Sequence, residues 1–223
     1  MYYNIFCFVS QVVYKYINMT QNAKAGQLNA VFSLAEISTI QKAVSNLQSS
    51  MNSGPVDHAY TNGFKKTDFI YLFIKKLVID RIQQHLDLEL KLTHGMYLKE
   101  FRPWEIHTDY NKGDQCPGLA VLVPLHTDTV NTHTVVFNEE CTNNFPTYVA
   151  THSKLQHNAS ALHQTIMSHQ PVEHLEYVSL LAAIPWTVGS VIYWDRHLLH
   201  SSDNFVANGV LEKHALVMFF NND

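Results

Sequence analysis

The chain has 223 residues, 46% of them hydrophobic, which is enough for one domain with a sizeable core. Its 15 Lys and Arg against 19 Asp and Glu give a formal net charge of -4 and form no long basic run, which argues against an extensive nucleic-acid interface. No stretch reaches the roughly 18 consecutive apolar residues of a membrane-spanning helix, and the isolated, odd-numbered Cys7, Cys116 and Cys141 suit a reducing compartment rather than a disulfide framework or a zinc knuckle.

In chain order, the start is apolar but lacks a basic region and is soon interrupted by Gln11 and Lys15, so it reads poorly as a signal peptide. Ile5 to Tyr16 is read as an edge strand or a short ordered arm. Ser33-Leu-Ala-Glu36 is a capping box before Ile37, Ile40, Ala43, Val44 and Leu47, which predicts a helix over 34–49. Ser49 to Gly63 reads as a loop. Thr67 or Asp68 caps a second helix, whose apolar residues from Phe69 to Leu86 recur at helical spacing down to about His85.

The period then changes. Leu88 to Leu92 and Met96 to Arg102 read as strands, and the nearly all-apolar Gly118 to Leu125 suits a strand covered on both faces. Thr132 to Phe137, Pro146 to Ala150, Tyr177 to Ala183, Ser190 to Trp194 and His214 to Phe220 complete the expected strands, with a short helix over Ser160 to Met167. Two helices followed by short strands predict a mainly β fold: a partly closed sandwich with helical support in 30–87 and a β core over 88–221, forming one domain across 1–223.

His107-Thr108-Asp109 follows a strand-like run, and residues i and i+2 of a strand share a face. His200 lies beyond the strand-like Ser190 to Trp194, and Lys213 opens the next strand, whose face Ala215, Val217 and Phe219 continue. Two imidazoles and one carboxylate suit non-haem iron(II) and leave coordination positions open. A 2-oxoacid can fill two of them and dioxygen the third. A dicarboxylate cosubstrate would place its far carboxylate in a low-dielectric cleft, where Lys213 supplies the counter-charge and Ser or Thr hydroxyls add hydrogen bonds.

His107-Thr-Asp109, then Gly189-Ser-Val-Ile-Tyr-Trp-Asp-Arg-His-Leu-Leu-His200, then Lys213-His-Ala-Leu-Val-Met-Phe219 resembles the iron(II)/2-oxoglutarate-dependent dioxygenases. The resemblance covers about residues 30–220. It implies a double-stranded β-helix, or jelly roll, with an N-terminal helical layer. It implies that His107, Asp109 and His200 bind iron(II) and carry the catalysis, and that Lys213 binds the distal carboxylate of 2-oxoglutarate, with dioxygen as the second cosubstrate. A lysine there is similar to the prolyl-hydroxylase branch and its phage and marine bacterial relatives, although Trp104 stands where prolyl hydroxylases often have Tyr. Tyr97 or Leu98 falls near a family position that contacts the cosubstrate. Aspartate as the carboxylate ligand argues against halogenation, so the implied activity is hydroxylation of a small-molecule, amino-acid or peptide substrate. The implied setting is the cytoplasm, that of a host if the chain is viral, without a membrane.

Rival residues stay open at this level. A second His-Thr-Asp, His126-Thr127-Asp128, also follows a strand-like run; the family pattern prefers the first copy. His197 competes with His200. His133 suits either a substrate contact or a satisfied structural histidine. Thr134 suits the cosubstrate pocket, though β-propensity alone explains it. Arg102, Tyr110 and Arg196 are substrate-contact candidates. A cupin-like metal module without oxygenase activity, or a zinc hydrolase using Glu105 or Asp128 as base, are the alternatives to an oxygenase.

Overall fold

The computed structural model describes residues 24–48, 52–53, 58–60, 69–86, 89–109, 118–128 and 131–222. The segment Ile5 to Tyr16, most of the loop from Ser49 to Gly63, the caps Thr67 and Asp68, and Tyr110, Cys7 and Cys116 lie outside the described residues.

A short strand β1 (Ala25–Leu28) precedes helix α1 (Leu34–Gln48). The capping box closes as expected: the Ser33 amide donates to Glu36 Oε2 at 2.9 Å, and the Glu36 amide donates to Ser33 Oγ at 3.3 Å. Short strands β2 (Asn52–Ser53) and β3 (His58–Tyr60) follow. The second helical run is α2 (Phe69–Ile74), a π-helical turn over Lys75–Ile79, and α3 (Asp80–Leu86). Ile74, Val78, Ile79, Ile82 and Leu86 are buried along it.

Strand β4 (Leu90–Glu100) is continuous where two strands were expected. It pairs along its whole length with β10 (Lys213–Asn222), and the ladder carries the weak strand formers Thr93-His94-Gly95 through, with a register shift opposite them between Phe219 and Phe220. Next come β5 (Gly118–Thr127) and β6 (His133–Glu140). Phe145–Thr151, expected as a strand in its Pro146 to Ala150 part, is helix α4. Asn144 caps it by accepting from the Thr147 amide at 2.9 Å, and Pro146 stands in the first turn, where its missing N–H costs nothing. Two more short helices follow, α5 (Ala159–Thr165) and α6 (Val172–Leu175), then β7 (Leu180–Pro185), β8 (Val191–Asp195) and β9 (Leu198–Ser202). The turn into β8 needs Gly189: its φ is +87°, and a Cβ there would meet the Phe32 carbonyl oxygen at 2.5 Å.

The strands form two antiparallel sheets, one of seven in the order β1-β8-β5-β10-β4-β3-β2 and one of three in the order β7-β6-β9. Strand alternation sorts the core into three layers. Val121, Val123, Leu125, Val191, Tyr193, Leu216, Met218 and Phe220 face the N-terminal helices. Ala120, Leu122, Ile192, Trp194, Ala215 and Val217 face the other way, against Val136, Ile184 and Leu198 of the small sheet. Val135, Phe137 and Leu199 on the outer face of that sheet pack on α4, α5 and α6 through Phe145, Tyr148, Ala159 and Leu175. The sandwich is a double-stranded β-helix with helices outside both sheets. Strand β5 is apolar on both faces because both are covered.

Candidate metal centre

His107 lies beyond the end of β4, yet it is locked to β9 through the backbone. The His107 amide donates to the His200 carbonyl at 3.0 Å, and the His200 amide donates back to the His107 carbonyl at 2.9 Å. His200 alternates with Leu198 and Ser202 on the inner face of β9. Asp109 is held by two direct bonds and by a third on its neighbour. Arg196 Nη2 donates to its carbonyl at 3.0 Å, Trp194 Nε1 donates to its Oδ2 at 3.1 Å, and the neighbouring Thr108 hydroxyl donates to the Arg196 carbonyl at 2.8 Å. One ligand atom from each of His107, Asp109 and His200 lies within 4.8 Å of the others, the only such group among the described residues. His200 Nε2 and Asp109 Oδ2 are 3.3 Å apart.

Hydrogen bonding sets the tautomers. His107 Nδ1 lies 2.7 Å from the Glu105 carbonyl oxygen, and His200 Nδ1 lies 3.0 Å from that of Leu198. A carbonyl can only accept, so each Nδ1 carries the proton and each Nε2 keeps its lone pair for a metal. Burial pushes the His200 imidazole down to about 4; Asp109 opposes this and His107 adds to it. The ring is therefore neutral near pH 7, the form that ligates. Two imidazoles and one carboxylate fit iron(II).

The second His-Thr-Asp has another task. Asp128 Oδ2 accepts from the Leu211 and Glu212 amides at 2.9 and 3.1 Å, and those bonds hold its carboxyl below the usual carboxylate range. His126 stands across the ladder from His214, with ring centroids 4.9 Å apart. This copy fastens the loop before β10 to the end of β5. His197 lies 3.0 Å from Asp195 in the turn between β8 and β9, and His133 is engaged by the buried Asp203 at 3.0 Å. Arg102 is exposed, while Arg196 is buried and positions Asp109.

A cavity of about 330 Å³ opens between the sheets beside His107, Asp109 and His200. Trp104, Trp186, Trp194 and Phe219 supply its aromatic walls, and Glu100, Thr134, Ser201 and Ser202 its polar points. Thr134 thus sits where a pocket residue was expected. Tyr97 does not. It is buried in the helix-facing core, and its hydroxyl lies 2.9 Å from His214 Nδ1. Its neighbours Met96, Leu98 and Glu100 hold the cavity face of β4. The strand alternation that brings Leu98 inward turns Tyr97 away, so Leu98 takes the inward place of the two.

Lys213 is fully buried. Its ammonium lies 3.2 Å from Glu100 Oε2, 4.0 Å from the Trp186 ring centroid and 4.4 Å from that of Phe205. Glu100 is its directly opposed residue on β4 and also accepts from the Ser202 hydroxyl at 3.1 Å. Sequence reasoning missed Glu100. Its i, i+2 and i+4 relation to Met96 and Leu98 was the available signal, but that pattern needs the register of β4 against β10 before it names a partner.

No family model matches the chain, and no curated protein does. Solved structures do match in fold. The non-heme alpha ketoglutarate dependent epimerase SnoN from nogalamycin biosynthesis aligns at 9% identity over 89% of this chain and 78% of its own, with a TM-score of 0.59. The corresponding carbocyclase SnoK aligns at 12% identity over 89% and 80%, with a TM-score of 0.57. A Pseudomonas putida prolyl-4-hydroxylase aligns at 9% identity over 91% and 95%, with a TM-score of 0.52. What is shared at these identities is the double-stranded β-helix.

Proposed function

We propose that the protein is a non-haem iron(II) dioxygenase that couples oxidative decarboxylation of 2-oxoglutarate to hydroxylation of a small-molecule or peptide substrate. The observation that carries this reading is the convergence of His107, Asp109 and His200, with both Nε2 lone pairs directed into the site and one carboxylate beside them. The fold supports it as well, because enzymes of that architecture include alpha ketoglutarate dependent ones.

Bound there, iron(II) with 2-oxoglutarate would supply dioxygen activation and oxygen transfer to a C–H bond. The chain's own residues do the rest. The backbone exchange between His107 and His200 fixes two ligands on one rigid edge. Arg196 and Trp194 hold the third. The tryptophan walls give the reacting centre an apolar surround. Lys213, paired with Glu100 at the cavity wall, is the cation available to the far carboxylate, and Thr134 lines the cavity. The substrate is taken into the apolar side of the cavity. Among the described residues no helix is long and apolar enough to cross a membrane, and Cys141 is a buried free thiol, which suits the proposed reducing setting.

The test is anaerobic addition of iron(II) and then 2-oxoglutarate, watched for the visible metal-to-ligand charge-transfer band. The band is expected in the native protein and in His126→Ala, and lost in His107→Ala. A band kept in His107→Ala and lost in His126→Ala would move the metal to the second copy. Metal binding with no band would leave a metal module without oxygenase activity. Turnover independent of dioxygen and 2-oxoglutarate would instead mark a hydrolase.

A further inference from the structure

A cationic anchor for a dicarboxylate works by offering an uncompensated positive charge in a dry site. The charge of Lys213 is already countered inside the protein, although its Nζ makes no hydrogen bond among the described residues. Its ammonium is fully buried, and the carboxylate 3.2 Å away belongs to Glu100, which is itself only 3% exposed. The two residues are opposed across the β4–β10 ladder, so the pairing is set by register rather than by a chance rotamer. The Ser202 hydroxyl steadies the same Glu100 oxygen. Glu100, Trp186 and Ser202 line the cavity, while Lys213 lies behind them. A side-chain carboxylate of the protein therefore stands where the far carboxylate of an incoming 2-oxoacid would have to go.

We propose that Glu100 determines cosubstrate specificity by competing with the distal carboxylate of a dicarboxylic 2-oxoacid for Lys213. This rests on the reading of the site as a 2-oxoacid-dependent metal centre. A dicarboxylic 2-oxoacid gains the Lys213 pairing only by displacing the Glu100 carboxylate, since two carboxylates at one buried ammonium leave a net negative charge without a partner. A monocarboxylic 2-oxoacid of equal length leaves the Lys213–Glu100 pair intact. The native site consequently discriminates weakly between the two, and its selectivity for 2-oxoglutarate is held down by one residue.

The experiment titrates 2-oxoglutarate and 2-oxopentanoate into iron(II)-loaded protein without oxygen, reading the charge-transfer band, with thermal shift of the same samples as an independent measure. Both acids offer the same chelating end, and they differ at the far end in a carboxylate against a methyl group. In Glu100→Gln, 2-oxoglutarate is expected to bind about ten-fold or more tighter than in the native protein, the scale of one charge-assisted hydrogen bond. Binding of 2-oxopentanoate is expected to stay within about two-fold on the same reasoning. If Glu100→Gln does not fold, Glu100→Asp retracts the carboxylate by one methylene and is expected to shift the ratio in the same direction. An unchanged ratio of the two affinities, or weaker 2-oxoglutarate binding in the variant, overturns the role of Glu100 while the metal centre stands. No band with either acid in any of the proteins overturns the parent reading and this one together.

Discussion

At the scale of single residues, His200 does two things at once. It is one of three groups that could hold a metal ion, and its burial makes the metal-free protein sensitive to acid. The folded imidazole is held down to about 4 from an ordinary 6.5, with burial as the main cause. Between those values the unfolded chain binds the extra proton and the folded one does not, so stability rises with pH across the window. The contribution is fully present above pH 6.5 and is lost as pH falls towards 4, amounting to roughly 3 kcal/mol. Denaturant unfolding of metal-free protein between pH 7 and 4 is expected to show that loss, and His200→Gln to remove about that much of the slope. The cluster of His107, Asp109 and His200 was legible in the sequence as a candidate site because metal chemistry restricts residue type and His-x-Asp on an extended segment restricts direction. Glu100 was not legible: a glutamate near a strand end is ordinary until the opposing strand brings Lys213 to it. Tyr97 was misplaced for a related reason, since one step along β4 changes which face a side chain occupies.

Among the elements, those with long, strongly periodic sequences formed as expected. Helix α1 has its capping box and apolar stripe, and β5, β8 and β10 carry runs that only a covered strand tolerates. Elements defined by a local hydrogen bond were harder to read. The segment from Pro146 to Ala150 has strand-like Tyr and Val, but Asn144 opens a helix by satisfying the Thr147 amide and hydroxyl at 2.9 and 2.8 Å. Phe145 and Tyr148 then face the small sheet from the same side of α4. Asn144→Ala is expected to cost about 1 kcal/mol, the usual worth of such a cap, and to lower the melting temperature by about 2–4 °C. Iron(II) affinity should be unaltered in that variant, because α4 lies outside the small sheet and contributes no residue to the cavity that His107, Asp109 and His200 line. A change in affinity beyond the loss of folded protein would mean that α4 helps to position the centre. Strand β9 escaped the sequence pattern because its inner face, Leu198, His200 and Ser202, carries the site's polar groups. Polar residues there remove the apolar alternation by which strands are recognised.

For the whole molecule, the architecture explains why a candidate metal centre assembled from distant segments can be both precise and separable from folding. The three packed layers hold the two sheets apart at the cavity and together elsewhere. The ligand edge is closed by backbone bonds between His107 and His200 that do not depend on either side chain. Removing the His107 imidazole therefore leaves the scaffold's own bonds in place, and His107→Ala is expected to melt within about 2–4 °C of the native apoprotein, the equivalent of about 1 kcal/mol. Metal binding should instead appear as linkage. Free iron(II) at a hundred times its dissociation constant adds about 2.7 kcal/mol to the native protein, or roughly 5–10 °C for a chain of this size. That increment is expected to vanish in His107→Ala and to persist in His126→Ala, since His126 belongs to the fastening of β5 and β10 and not to the ligand edge. Thermal melts of the three proteins with and without iron(II) under nitrogen decide the point. An equal metal-induced shift in His107→Ala would place the bound ion elsewhere and leave the backbone bridge between His107 and His200 as a purely structural join.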